Sequence, residues 1–137
     1  MAFRPLFGYD GKIRLRGVAD AVTVTKGDAM VDNGSGYLTT ASAGGGADVR
    51  FVAMETVTTT ADNQQVLVVD TDGVTFSADV DAAAAQTDVG TEADLAAAGQ
   101  VDPNASADDI FYIEAIDGVV GTSTVVIGHF TRGVMNS

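Results

Sequence analysis

The sequence predicts an all-β protein: an antiparallel β-barrel or sandwich with one short helix and an extended N-terminal arm. Three observations lead there. Val and Thr recur in short runs that alternate apolar with polar, the period of a half-buried strand. Sixteen glycines sit mostly between those runs, where turns need positive φ, and there are only two prolines. Helix-forming residues gather in a single stretch near residue 95. With 137 residues, 46% of them hydrophobic, the chain can build one domain with its own core and is too apolar to stay disordered.

The elements follow in order. Residues 18–25 (VADAVTVT) read as a strand closed by the turn Lys26-Gly27-Asp28. Asn33-Gly34-Ser35-Gly36 is a turn, because Asn and Gly tolerate the left-handed region. Tyr37–Ser42 is a short strand, followed by the linker-like Gly44-Gly45-Gly46. Asp48–Val57 is a longer strand and Thr58–Asn63 a loop. Gln65–Val69, the turn Asp70-Thr71-Asp72-Gly73 and Val74–Val80 read as a hairpin. Thr91-Glu92-Ala93-Asp94 fits a capping box, Leu95–Ala98 are good helix formers and Gly99 suits the C-cap, so the helix is expected there. A further helical turn is expected over Asp81–Gln86. Two strands close the body, Asp109–Ile116 and Ser123–Phe130, and the last few residues read as a tail. Ile110–Ile113, Val125–Ile127 and Val66–Val69 are apolar at successive positions, so both faces of those strands are expected to be covered. Either a closed barrel or neighbouring subunits can do this, and oligomerisation is the favoured reading.

Charge is divided unevenly. Residues 1–17 hold four cations, Arg4, Lys12, Arg14 and Arg16, against Asp10 alone, a net of +3. The other 120 residues hold three basic and eighteen acidic side chains, −15, which completes the overall −12. The expected organisation is therefore an arm over 1–17 and a β-rich body over 18–137. An acidic body does not suit phosphate binding, so no nucleic-acid partner is expected. No apolar run nears the roughly 20 residues that cross a bilayer, so no membrane partner is expected. The N-terminus lacks the apolar h-region of a secretory signal.

Chemistry-bearing residues are sparse. Zero cysteines exclude disulfides, thiolate metal sites and a Cys nucleophile. His129 is the only histidine and reads as a packed or surface residue. Asp102, Asn104, Ser106 and Asp108 resemble the start of a calcium loop, but Ala107 and Ile113 stand where that loop needs Gly and Glu. Asp70 and Asp72 fit a turn. Glu55, Glu92, Glu114 and the sixteen aspartates read as a solvated face rather than an acid–base pair, and the glycine run lacks the Lys and Ser/Thr of a P-loop. No catalytic residue, metal or cofactor is expected. The N-terminal segment is richer. Phe3, Leu6, Phe7 and Tyr9 place apolar bulk beside Arg4, and Ile13 and Leu15 alternate with Lys12, Arg14 and Arg16. A strand with one apolar and one cationic face can add to a partner's sheet edge. It can equally be the first strand of its own domain with exposed charges, and both readings stand at this point.

Residues 22–30 (VTVTKGDAM), Gly36-Tyr37-Leu38-Thr39, Phe51-Val52-Ala53 and Val126-Ile127-Gly128-His129-Phe130 together resemble the small decoration, or head-stabilising, proteins of tailed bacteriophages. The resemblance spans most of residues 18–130. It implies a β-tulip-like body that forms trimers or other small clusters on the capsid exterior, bound to the major capsid protein through a terminal arm. On that resemblance Phe3, Arg4, Leu6, Phe7, Tyr9, Lys12, Ile13, Arg14, Leu15 and Arg16 are the capsid-binding residues. The expected function is non-enzymatic: stabilisation of an assembled virion by a protein made in the host cytoplasm. A phage tail or fibre component is one alternative. A carbohydrate-binding module is another, with Tyr37, Tyr112 and nearby aspartates as stacking and hydrogen-bonding groups.

Overall fold

The computed structural model describes residues 2–42, 49–105 and 109–131. Thirteen strands are described there: β1 (Arg4–Phe7), β2 (Ile13–Val18), β3 (Thr23–Val24), β4 (Ala29–Asp32), β5 (Leu38–Thr40), β6 (Phe51–Ala53), β7 (Val57–Thr58), β8 (Gln64–Asp70), β9 (Thr75–Val80), β10 (Glu92–Ala97), β11 (Gln100–Asp102), β12 (Phe111–Ile116) and β13 (Val125–Phe130). The all-β class and the barrel expected from the sequence are present. The linker-like glycines 44–46, residues 106–108 of the Asp102–Asp108 loop and the tail beyond Thr131 lie outside the described residues.

Two curved sheets divide the chain. β2-β5-β4-β6-β8 form a closed barrel, with the β2–β5 seam made by the parallel pair Val18↔Leu38. The second sheet runs β1-β9-β11-β10-β12-β13, and a further β9–β13 pairing over Val125↔Asp79 to Gly128↔Phe76 bends it back on itself. β3 and β7 form a separate two-stranded ribbon. The barrel interior is filled by Val18, Met30, Leu38, Phe51, Ala53, Val66 and Val68. A second, larger core lies against the six-stranded sheet and is centred on Phe3, Phe76, Phe111 and Phe130. Ala29, Val52 and Val69 reach into that core from the outside of the barrel. Side chains alternate along a strand, so β6 sends Phe51 and Ala53 inward and Val52 outward, and all three are buried. The run Val66–Val69 is covered only in part on both faces: Val66 and Val68 fill the barrel and Val69 the larger core, while Leu67 is exposed.

Three expectations are corrected. Residues 91–99 hold no helix; Glu92–Ala97 is strand β10, paired with β11 and β12. Ala93, Asp94 and Leu95 are all buried, and pairing on both sides outweighs local helix preference. Thr91 Oγ1 donates to Asp88 O instead of capping a helix, and the helical turn lies at Gln86–Asp88, a short 3-10 segment. The hairpin expected across 70–73 does not form. Both strands exist, but β8 pairs with β2 and β6 while β9 pairs with β1, β11 and β13, so the turn carries the chain from one sheet to the other. The third correction concerns the N-terminal segment. It is extended but not free: β1 pairs with β9 and β2 with β8 along its whole length, so the division expected between residues 17 and 18 falls inside a strand.

The loop at Gly27-Asp28 ties these parts together. Phe3 N–H donates to Gly27 O, Gly27 N–H to Ala53 O and Ala29 N–H to Ala98 O, at 2.7–3.0 Å. Burial pushes the Asp28 carboxyl above its ordinary value of 3.8, partly offset by the hydrogen bond it accepts from the Thr25 backbone N–H. The folded state therefore holds the Asp28 proton more tightly than the unfolded chain. Stability is lost as pH rises from the ordinary carboxylate value through this raised one. Asp28→Asn keeps an acceptor oxygen and removes the charge. Its Tm is expected to exceed that of the parent at pH 7 and to match it at about pH 3, below the usual aspartate value. Melting curves at the two pH values check this.

Candidate docking surface

The segment expected to dock is distributed over two environments. The Phe3 ring is 2% exposed and packs 4.7 Å from Phe130, 5.5 Å from Phe111 and 6.4 Å from Phe76. It fills a pocket of its own protein, not of a partner. Arg4 stands exposed on β1 opposite Ser77, with Leu6 half-buried. Phe7 is 69% exposed at the end of β1, and Tyr9 is exposed in the turn that follows. The Lys12 ammonium donates to Asp72 O at 2.9 Å, and Asp70 N–H donates to Lys12 O at 3.0 Å. The two crossings between sheets, 8–12 and 70–74, are thereby clipped side by side.

Strand β2 presents both of its faces as the alternation predicts. Ile13 and Leu15, 44% and 57% exposed, point away from the barrel core. Register places Leu15 directly across from Leu67 of β8, itself 37% exposed, so three aliphatic side chains share one solvent-facing patch. Arg14 and Arg16 occupy the alternate positions. Arg14 Nη2 lies 3.1 Å from Asp70 Oδ2, and the Arg16 guanidinium stands 4.9 Å from the centroid of Phe51. A partly exposed ion pair of this kind adds little to stability, and stacking on an aromatic face leaves the guanidinium edge able to bind elsewhere.

Beside β2 the barrel mouth opens into a cleft of about 520 Å³. Its floor is Met30, Leu38 and Phe51, and its walls carry Arg16, Arg50, Asp32, Tyr37, Asn63 and Gln65. Of these the sequence reading had singled out only Arg16 and Tyr37. Arg50, Asn63 and Gln65 come from three separate stretches, and no local pattern joins them. Leu67 was read only as a buried strand residue. Val119 and Val120 are a further exposed apolar pair, at the tip between β12 and β13.

The remaining candidates stay apart. His129 is a surface residue: its Nδ1 lies 2.6 Å from Glu114 Oε2 and its ring 5.2 Å from Tyr112. Asp102 Oδ1 accepts from Asn104 N–H at 3.0 Å, ordinary turn chemistry. Among the described residues no three His, Cys, Asp or Glu side chains are grouped to hold a metal ion. No helix there is long and apolar enough to cross a membrane. No protein-family model and no curated protein matches this chain.

Proposed function

We propose that this chain is a structural binding protein that docks on the outside of an assembled phage capsid and stabilises it. Its partner is the major capsid protein, and it acts as a small homo-oligomer, a trimer by preference. The observation that carries this reading is the surface of β2. Ile13, Leu15 and Leu67 form an exposed aliphatic patch on one face of the strand, and Lys12, Arg14 and Arg16 hold the alternate positions along it in a chain of net charge −12. Acidic bodies repel one another and stay soluble, while an apolar patch with cations along the same strand selects and orients one partner. Docking uses this face of a folded strand, since the segment is already paired within its own sheets. A protein that binds only the assembled lattice stabilises it by mass action, and several linked copies gain avidity without new contacts.

Leu15→Glu tests the reading. The side chain is exposed, so the melting transition is expected to move by no more than about 0.5 kcal/mol in stability. A charge placed in the centre of the docking patch is expected to weaken binding at least about tenfold, the scale of an interface hot spot. Co-sedimentation with capsids assembled from the major capsid protein of the phage genome that encodes this chain measures it. Decoration by Leu15→Glu at parental affinity contradicts the assignment of the face. Failure of the parent protein to bind such capsids contradicts the function.

A further inference from the structure

The cleft at the barrel mouth, which shares Leu15 and Arg16 with the docking strand, has the chemistry of a second site, and we propose that it binds an acidic saccharide, a ring bearing one carboxylate among several hydroxyls. Its volume of about 520 Å³ falls within the range of roughly 300–1,000 Å³ typical of small-molecule sites. Two guanidinium groups, Arg16 and Arg50, line it, and Arg16 is set over the Phe51 ring. Planar guanidinium forks match a carboxylate in geometry and charge. Beside Arg16, where Gly17 pairs with Gln65, the Asn63 and Gln65 amides supply neutral donors and acceptors for hydroxyls, and Tyr37 supplies an aromatic face for a sugar ring.

The amide wall is built into the backbone. Asn63 stands in the left-handed region at φ 65°, which asparagine adopts more readily than most residues other than glycine. Its side-chain oxygen occupies the space that a Cβ at position 17 would need, so Gly17 is what admits it. Gln65 Nε2 donates to Asn63 O at 3.2 Å and lies 3.3 Å from Asn63 Oδ1, which fixes the two amides relative to each other. Asn33 Oδ1 accepts from the Ser35 and Tyr37 N–H groups at 2.8 and 3.3 Å, holding the turn that carries Tyr37 ahead of β5.

Asp32 decides between ligand classes. It lines the same cleft, and one of its oxygens already accepts from Gly34 N–H at 2.7 Å. A carboxylate there repels a densely charged ligand such as an acidic peptide or a polyphosphate. It accepts hydroxyl hydrogen bonds from a sugar whose single carboxylate lies at the two arginines.

The test uses the full chain and contains no capsid, so its outcome is independent of the docking proposal. Titration calorimetry compares oligogalacturonate, a neutral galactose oligomer of equal length and poly-glutamate. Oligogalacturonate is expected to bind, with the neutral oligomer weaker by at least about tenfold, the effect of losing one charge-assisted hydrogen-bond pair. Tyr37→Ala and Arg16→Gln are each expected to weaken oligogalacturonate binding by a similar factor. Melting curves establish that each variant is folded, and either one that folds suffices. The proposal is overturned if oligogalacturonate does not bind, if the neutral oligomer binds equally, or if a folded variant binds as the parent does. Poly-glutamate binding of equal strength that depends on Arg16 also overturns it and assigns the cleft to peptides.

Discussion

Deleting residues 2–12 is expected to unfold the protein, and Phe3→Ala alone to cost about 3–5 kcal/mol, the range for truncating a buried aromatic side chain. Phe3 lies within 6.4 Å of three other phenylalanine rings and is buried almost completely. An alanine there leaves a cavity among the Phe76, Phe111 and Phe130 rings of the larger core. The deletion removes more: strand β1 from the edge of β9, the Phe3 hydrogen bond to Gly27, and the Lys12 contacts to the 70–72 turn. A fall in Tm of more than about 10 °C for Phe3→Ala checks the claim by thermal melting. An unchanged melt would mean that the segment packs elsewhere in solution.

Gly128→Ala is expected to cost about 3 kcal/mol, the upper end of what overpacking does in a tight interior. Gly128 pairs with Ile113 on one side and Phe76 on the other, in the strand that closes the second sheet. A Cβ added there would run into the Tyr112 carbonyl oxygen and stand 2.7 Å from Cε2 of Phe111. The obstruction is backbone, which cannot rotate away, together with a ring already packed 5.1 Å from Phe130. Relief therefore requires β12 and β13 to separate. Denaturant titration is expected to give a lower midpoint with little change in slope, the mark of lost stability without lost compactness.

The β class was legible because it rests on local signals: the alternation in Thr75–Val80, the glycine turns, and the paired strands β12 and β13 with a short connection. What was not legible depends on partners far away in sequence. Glu92–Ala97 carries the composition of a helix, and only β11 and β12 on either side make it a strand. β8 and β9 look like a hairpin because their turn is well formed, yet each finds its partners elsewhere. The N-terminal segment was the hardest case. Basic and aromatic residues describe what a surface wants to bind, and they do not say whether the pocket belongs to the same molecule. Phe3 found its pocket at home, whereas Ile13 and Leu15 did not. Of the docking face, the β2 half could be read from period two alone. Leu67 and the cleft needed the register of β2 against β8 and the shape of the barrel mouth.

The central claim is that residues 3–18 are part of the fold and that docking, where it occurs, uses the outer face of a strand already in place. Hydrogen exchange on the isolated protein tests it most directly. The β2 amides that point at β8 are expected to exchange about 10³-fold or more slowly than those of a free peptide, as in the core strands of a stable domain. Exchange across Ile13–Val18 at the rate of an unstructured peptide, with β9 and β13 still protected, would contradict it and return the segment to the role of a free arm.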